Sequence, residues 1–215
     1  MIKRLTKNLV ETAEYVANIL NTKLDQGQSV LWLVSGGSAI LLEVEIAKRI
    51  RNGAKLVVTL IDERFGPVGH LDSNWQKLIE AGFNIKEAKL LPVLVGHGIE
   101  QTAIDFEQIL KNELNLAQYK LGIFGIGEDG HTAGILPGSQ AIESTFLLCH
   151  YQSQTYHRIT LTPSAIKMLD EAVLFAVGEN KKLILEKFET DVSLEEMPAQ
   201  ILKELPLLTI INKVE

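Results

Sequence analysis

Apolar positions along the chain follow two rhythms: short continuous runs, and longer stretches that repeat every three or four residues. Over residues 6–25 the side chains Leu9, Tyr15, Val16, Ile19 and Leu20, with Leu5 just ahead of them, recur at intervals suited to one helical face, and Gly27 closes that helix. Residues 29–34 form a β-prone apolar run, followed by the turn Ser35-Gly36-Gly37-Ser38 and a helix-like segment over 39–50. A second apolar run at 56–61 passes straight into Asp62-Glu63-Arg64 and a turn-rich connection over 65–74, ahead of a short helix marked by Trp75, Leu78 and Ile79. Residues 90–95 read as a short strand, 99–116 as a helix through Ile104, Phe106, Ile109, Leu110 and Leu114, and 120–124 as a buried strand. Further strand-like runs lie at 144–151, 158–162, 173–177 and 207–211. Between them fall a helix opened by Pro163, a helix over 183–188 and another led by Pro198. No internal repeat, low-complexity tract or linker interrupts this alternation. It predicts an α/β fold of modified Rossmann-like type: residues 1–215 as a single domain, with a mostly parallel, doubly wound sheet and helices on both faces.

Composition narrows the function. At 215 residues, with 46% hydrophobic and 22% charged, the chain has ample material for one large core. Its net charge is −6, from 21 Lys plus Arg against 27 Asp plus Glu, and no basic block stands out. That balance argues against nucleic acid or a membrane surface as partner, so an anionic ligand needs a local cluster of donors. Cys149 is the single cysteine, which rules out an internal disulfide and a thiolate metal site. The N-terminal residues mix apolar and polar positions at helical spacing rather than forming a signal peptide's apolar block, and no run reaches transmembrane length. A cytoplasmic location is expected.

The strand ends carry the candidate chemistry. The glycines of Ser35-Gly36-Gly37-Ser38 let the backbone approach an anion, the serines add donors, and a helix start offers free N–H groups. Equally, Ser38 could simply cap the helix. Asp62, Glu63 and Arg64 follow an apolar run and must be paired, solvated or engaged with a ligand, a solvated loop being the usual outcome. His70, in the connection that follows, reads as structural. The stretch over 121–138, LGIFGIGEDGHTAGILPG, breaks from a buried strand into glycines and delivers Glu128, Asp129 and His131 at the strand's carboxyl end, where ligands bind in open α/β sheets. A histidine beside an aspartate is a natural general base, its bland alternative being a histidine that orders the turn. Gly178-Glu179-Asn180-Lys181-Lys182 again brings a cation near a helix start.

Gly125, Gly127 and Gly130 also satisfy the G-x-G-x-x-G spacing of dinucleotide sites. That reading fails on three points: Pro137 and Gly138 interrupt the required helix, Glu128 and Asp129 would oppose a pyrophosphate, and the strand ending at Tyr151-Gln152 lacks the acidic residue for a ribose. No clear set of further ligands accompanies Asp129 and His131 to make a metal site. No cofactor is expected.

Taken in order, Ser35-Gly36-Gly37-Ser38, Asp62-Glu63-Arg64 with Asp72-Ser73-Asn74, the segment 125–131 with Pro137-Gly138, and Arg158 within RITLT resemble 6-phosphogluconolactonase over almost the whole chain. The wider superfamily includes glucosamine-6-phosphate deaminase, which shares the DGH element. The deaminase motif continues with asparagine and glutamate before proline, where this chain has Ile135 and Leu136, and leucine cannot do a carboxylate's acid–base work. The lactonase pattern usually has Ser-Leu-Phe at Gly134, Ile135 and Leu136, a mild departure bearing on pocket shape. The resemblance implies hydrolysis of a phosphorylated sugar lactone, 6-phospho-D-glucono-1,5-lactone, to 6-phosphogluconate in the oxidative pentose phosphate pathway, with no metal. In that reading His131 is the base and Asp129 supports it, while Arg64 serves either the oxyanion or the phosphate. Ser35, Gly36, Gly37 and Ser38, with Arg158 and Lys181, take the phosphate; Asp62, Glu63 and Asn74 bind sugar hydroxyls or hold the loops. A deaminase-like isomerase and a non-catalytic sugar-phosphate sensor are the alternatives.

Overall fold

The computed structural model describes residues 1–212. Its elements, in chain order, are β1 (Ile2–Leu5), α1 (Leu9–Asp25), β2 (Val30–Val34), α2 (Ile40–Ala47), β3 (Leu56–Leu60), β4 (Asp62–Arg64), α3 (Asn74–Glu80), β5 (Lys89–Leu91), α4 (Ile99–Leu116), β6 (Tyr119–Phe124), β7 (Leu148–Gln152), β8 (His157–Leu161), α5 (Pro163–Ile166), β9 (Glu171–Phe175), α6 (Lys182–Glu189) and β10 (Leu207–Ile211). Seven strands form one sheet in the order β1-β10-β9-β6-β2-β3-β5, and every neighbouring pair is parallel. A parallel sheet is stable when both faces are covered, and the central strands read accordingly: all five residues of β2, VLWLV, and all five of β9, EAVLF, are buried. With the right-handed crossovers that parallel strands take, this order assigns α1, α2 and α3 to one face, where α1 packs on α2 and α2 on α3, and α4, α5 and α6 to the other. One contiguous hydrophobic cluster runs through both layers around Trp32, Phe124 and Phe188. Among the described residues no helix is long and apolar enough to cross a membrane.

The parallel α/β expectation holds, with local differences. The first helix starts at Leu9 because Asn8 and Glu11 form a reciprocal capping box, each side chain accepting from the other's backbone N–H at 2.8 and 2.9 Å. That frees Ile2–Leu5, exposed but for the partly buried Leu5, to pair with β10 as an edge strand, which four residues of apolar–charged mixture do not reveal. Gly27, at φ +78, ends α1 as expected. The second helix stops at Ala47 rather than 50, α5 is a single turn, and Pro198–Glu204 winds as a 3-10 helix.

The larger difference is a second sheet. β4, β8 and β7 pair antiparallel in that order outside the main sheet. Asp62-Glu63-Arg64 therefore forms no solvated loop: it continues from β3 through Ile61 as a strand, with Asp62 and Glu63 buried. The hydrogen bonds of β8 satisfy its backbone there.

On β6, the strand that carries the DGH turn, a Cβ added at Gly122 would overlap the Phe124 ring and meet Leu169 Cδ1 at 3.0 Å. Both neighbours are at most 1% exposed, so neither has room to give. Gly122→Ala is expected to lower the unfolding free energy by about 1–3 kcal/mol, read as a lower denaturant midpoint at unchanged slope; an unchanged midpoint would contradict this packing.

Candidate active site

Strand order decides where a ligand can sit. From β2 the chain steps to β3 and β5 on one side, and from β6 to β9 and β10 on the other, so the connections leaving the adjacent carboxyl ends of β2 and β6 diverge. The crevice opened by that divergence is the binding position in open α/β sheets. A cavity of about 280 Å³ lies there. Ser35, Gly36, Gly37 and Ser38 line it from the end of β2, and Gly125, Ile126, Gly127, His131 and Ala133 from the end of β6. Ile61, the β4 residues Asp62 and Arg64, Asn74, Arg158 of β8 and Lys181 complete the wall. Of the residues given a role in catalysis or substrate binding from the sequence, Asp129 and Glu63 stand behind it.

The turn after β2 is shaped for close approach. Gly37 sits at φ +61, and a Cβ at Gly36 would overlap the Asn74 carboxamide, so the loop needs both glycines. Neither the 3-10 turn Gly37–Ala39 nor α2 has a side-chain cap, which leaves Ser38 free of the capping role. Beneath the turn lies Glu43 of α2, fully buried, whose Oε1 accepts from Ser35 N–H at 2.6 Å and from Ser35 Oγ at 3.3 Å. Its Oε2 has no partner among the described residues. Burial pushes this carboxyl up to about 8, against the pull of the Ser35 donors. Sequence reasoning missed Glu43, because one acid within ILLEVEIA reads as the solvent side of a helix.

Strand alternation sorts the three charges of β4. Asp62 and Arg64 point to the cavity face, and Glu63 to the other. Of the two readings of Glu63, sugar binding or loop holding, its contacts fit the second. Its carboxylate accepts from the backbone N–H groups of Arg64 (2.7 Å), Asn74 (2.6 Å) and Trp75 (3.1 Å) and from Ser73 Oγ (2.8 Å), tying the connection after β4 to the strand. Burial raises its pKa despite these donors. Burial likewise raises Asp62, against the opposing pull of Arg64, Arg158, His131 and Asn74. Asn74 Nδ2 donates to Asp62 O at 3.0 Å, and His70 Nε2 lies 2.9 Å from Arg64 O, the structural place expected of that histidine.

The DGH turn closes on itself. Gly127 N–H donates to His131 O at 2.8 Å, Gly130 N–H to Gly127 O at 3.0 Å and Thr132 Oγ1 to Gly125 O at 2.8 Å, with Gly130 at φ +87. A Cβ on Gly127 would overlap the His131 ring and the Asp129 carboxylate. The glycines thus serve a tight turn, and the segment over 132–147 holds turns and an isolated bridge where a dinucleotide site needs a helix. Asp129 Oδ1 takes His131 Nδ1 at 2.6 Å and the His131 backbone N–H at 3.1 Å. Partial burial opposes the charge on Asp129, but the His131 backbone and imidazole outweigh it and hold the carboxyl below its ordinary range. An ionised carboxylate only accepts, so Nδ1 carries the proton, and in the neutral tautomer that this fixes the lone pair is on Nε2. Lys181 Nζ donates to Ile126 O at 2.9 Å and Asn180 Nδ2 to Glu128 Oε1 at 2.8 Å, latching the turn after β9 onto the same loop. Among the described residues no three or more His, Cys, Asp or Glu side chains group as metal ligands would.

Glu43 gives the site a pH signature. Its folded pKa lies above the ordinary 4.5, so its contribution to stability is complete below about pH 4.5 and is lost as pH rises toward about 8. Gln at this position keeps an acceptor for Ser35 and never ionises. Between pH 5 and 8 the wild-type chain is expected to lose more unfolding free energy than Glu43→Gln; equal losses in denaturant titrations at the two pH values would contradict the assignment.

Residues 5–208 match the family described as glucosamine-6-phosphate isomerases/6-phosphogluconolactonase. The chain is 28% identical, over 229 aligned positions, to glucosamine-6-phosphate deaminase of Streptococcus thermophilus, covering 98% of this chain and 96% of that one. It is 29% identical over 169 positions to a 6-phosphogluconolactonase of Borreliella burgdorferi, with 73% and 71% covered. A crystal structure of a 6-phosphogluconolactonase from Shewanella baltica shares the fold at a TM-score of 0.84 and 22% identity, over 99% of this chain and 97% of that one. Because the family match spans the sheet, the turns and the cavity alike, the chain belongs to the glucosamine-6-phosphate isomerase/6-phosphogluconolactonase family.

Proposed function

We propose that the chain hydrolyses 6-phospho-D-glucono-1,5-lactone to 6-phosphogluconate in the oxidative pentose phosphate pathway, as one cytoplasmic domain spanning residues 1–215. The observation that carries this reading is a histidine oriented by a carboxylate, His131 on Asp129 at 2.6 Å, in the same cavity as Arg64, Arg158 and Lys181. His131 Nε2 takes a proton from water as its oxygen bonds to the lactone carbonyl carbon. The bond to the ring oxygen then breaks, and the imidazolium returns the proton to that oxygen. A lactone is an activated ester, so a positioned base and loop N–H donors for the developing oxyanion suffice. Asp129 fixes the tautomer and stabilises the imidazolium. Arg158, Lys181 and the loop of Ser35 to Ser38 receive the phosphate, guanidinium groups gripping it through paired N–H groups. Register supports placing Arg64 with them, since it lies directly opposite Arg158 in the β4–β8 pair. Asp62 and Asn74 face the sugar hydroxyls.

The deaminase relative makes glucosamine 6-phosphate the competing substrate. Against it, Leu136 stands where the deaminase motif has its glutamate, and among the described residues Asp62 is the one carboxylate-bearing residue lining the cavity. His131→Asn is expected to lower kcat for the lactone about 10²–10⁴-fold while 6-phosphogluconate still binds; near-normal turnover would remove His131 as base. Arg158→Ala is expected to weaken 6-phosphogluconate binding about tenfold or more, and unchanged affinity would reject its phosphate role. Ammonia release from glucosamine 6-phosphate would overturn the lactonase reading in favour of the deaminase.

A further inference from the structure

The register Arg64↔Arg158 sets two guanidinium side chains opposite one another on the cavity face of an antiparallel pair. Like charges so placed repel. Asp62 Oδ2 lies 3.9 Å from Arg158 Nη1, the Arg158 side chain being 14% exposed, while Arg64 Nη1 donates to Asp72 O at 3.2 Å. One carboxylate and one carbonyl leave much of both cations uncompensated, and Arg64 Nε is buried with no partner among the described residues. Further contacts to both guanidinium groups come from the tip of the β7–β8 hairpin.

That tip is the four-residue loop 153–156, beyond the last pair Gln152↔His157. Ser153 locks it: Ser153 N–H and Oγ both donate to Tyr156 O at 2.8 Å, and Tyr156 N–H donates to Ser153 Oγ at 3.1 Å. The same Oγ accepts from Arg158 Nε at 3.3 Å. The locked turn carries the Tyr156 ring to both arginines, its centroid 5.1 Å from the Arg64 guanidinium carbon and 5.9 Å from that of Arg158. These distances are within cation–π range. Tyr156 Oη reaches Asp72 Oδ1 at 3.4 Å, tying the ring to the loop that follows β4.

We propose that Tyr156, set by Ser153, is a positioning residue that holds Arg64 and Arg158 as a preassembled pair for the dianion of a phosphate monoester. A single half-buried ring against both cations keeps them from swinging apart into solvent, so the ligand does not have to order two long side chains on arrival. The phosphate oxygens then relieve the repulsion that the strand register builds in. The inference rests on the phosphate reading of this cavity and deepens it, from the arginines to the aromatic side chain that orders them.

The test compares Tyr156→Leu, Tyr156→Phe and Ser153→Ala with wild type, using calorimetric titration with 6-phosphogluconate and with gluconate, together with lactone kinetics. Tyr156→Leu is expected to weaken 6-phosphogluconate binding and raise KM by about tenfold, with kcat within about twofold. Phe at 156 keeps the ring and restores affinity to within about twofold, and Ser153→Ala weakens it about threefold, the scale of one neutral hydrogen bond. Unchanged affinity in Tyr156→Leu overturns the proposal. So does a Phe variant as weak as Leu, which would place the effect in the hydroxyl–Asp72 contact, and so does a fall in kcat at constant KM. Equal losses for gluconate overturn it as well, because the ring would then not act through the phosphate. Failure of the lactonase reading shows separately, as wild-type protein that binds 6-phosphogluconate without accelerating lactone hydrolysis.

Discussion

Parallel pairing of β2 with β6, where the chain's crossovers turn in opposite directions, leaves a gap above the sheet that no connection fills, and the whole site hangs on that gap. The turn after β2 reaches into it from one side as backbone and small side chains. The turn after β6 reaches in from the other with a histidine already aligned on a carboxylate. Neither turn could come so close with ordinary residues at Gly36 and Gly127, whose missing side chains are the space that Asn74 and His131 occupy.

Filling that gap from above is a problem of charge. Asp62, Arg64 and Arg158 arrive on one face of the small antiparallel sheet, with Lys181 latched across from the turn after β9. Burial disfavours ionised Asp62 and Glu63, and neighbouring donors and cations only partly compensate. The two acids resolve this differently. Glu63 spends its oxygens on three backbone N–H groups and a hydroxyl and becomes part of the frame. Asp62 stays beside Arg158, at 3.9 Å, and within the wall of the cavity. A phosphate dianion would supply the negative charge that the arginine pair lacks, which links the electrostatics of the cavity to the ligand proposed for it.

Much of this was legible in the sequence because the signals were local. Continuous apolar runs such as VLWLV mark buried parallel strands, and Ser35 to Ser38 and the DGH stretch are glycine turns at strand ends, so both the sheet and most of the cavity lining could be read directly. The remainder depends on distant partners. Ile2–Leu5 becomes a strand only through β10, about two hundred positions away in the chain. Asp62-Glu63-Arg64 reads as a loop until β8 pairs with it, and the strand alternation that this pairing imposes turns Glu63 away from the cavity. Glu43 looks like the solvent side of a helix unless the Ser35 turn is known to lie on top of it. Tyr156, in a polar hairpin tip, gives no sign in sequence of the two arginines it faces.

The central claim is that one cavity binds a phosphorylated sugar acid with its two ends held by different loops. A crystal structure of the protein with 6-phosphogluconate tests this most directly. The account predicts the phosphate against Arg158, Arg64 and Lys181, and the C1 carboxylate within hydrogen-bond reach of His131 Nε2. A phosphate seated on His131, or a ligand bound away from the crevice between β2 and β6, would contradict it.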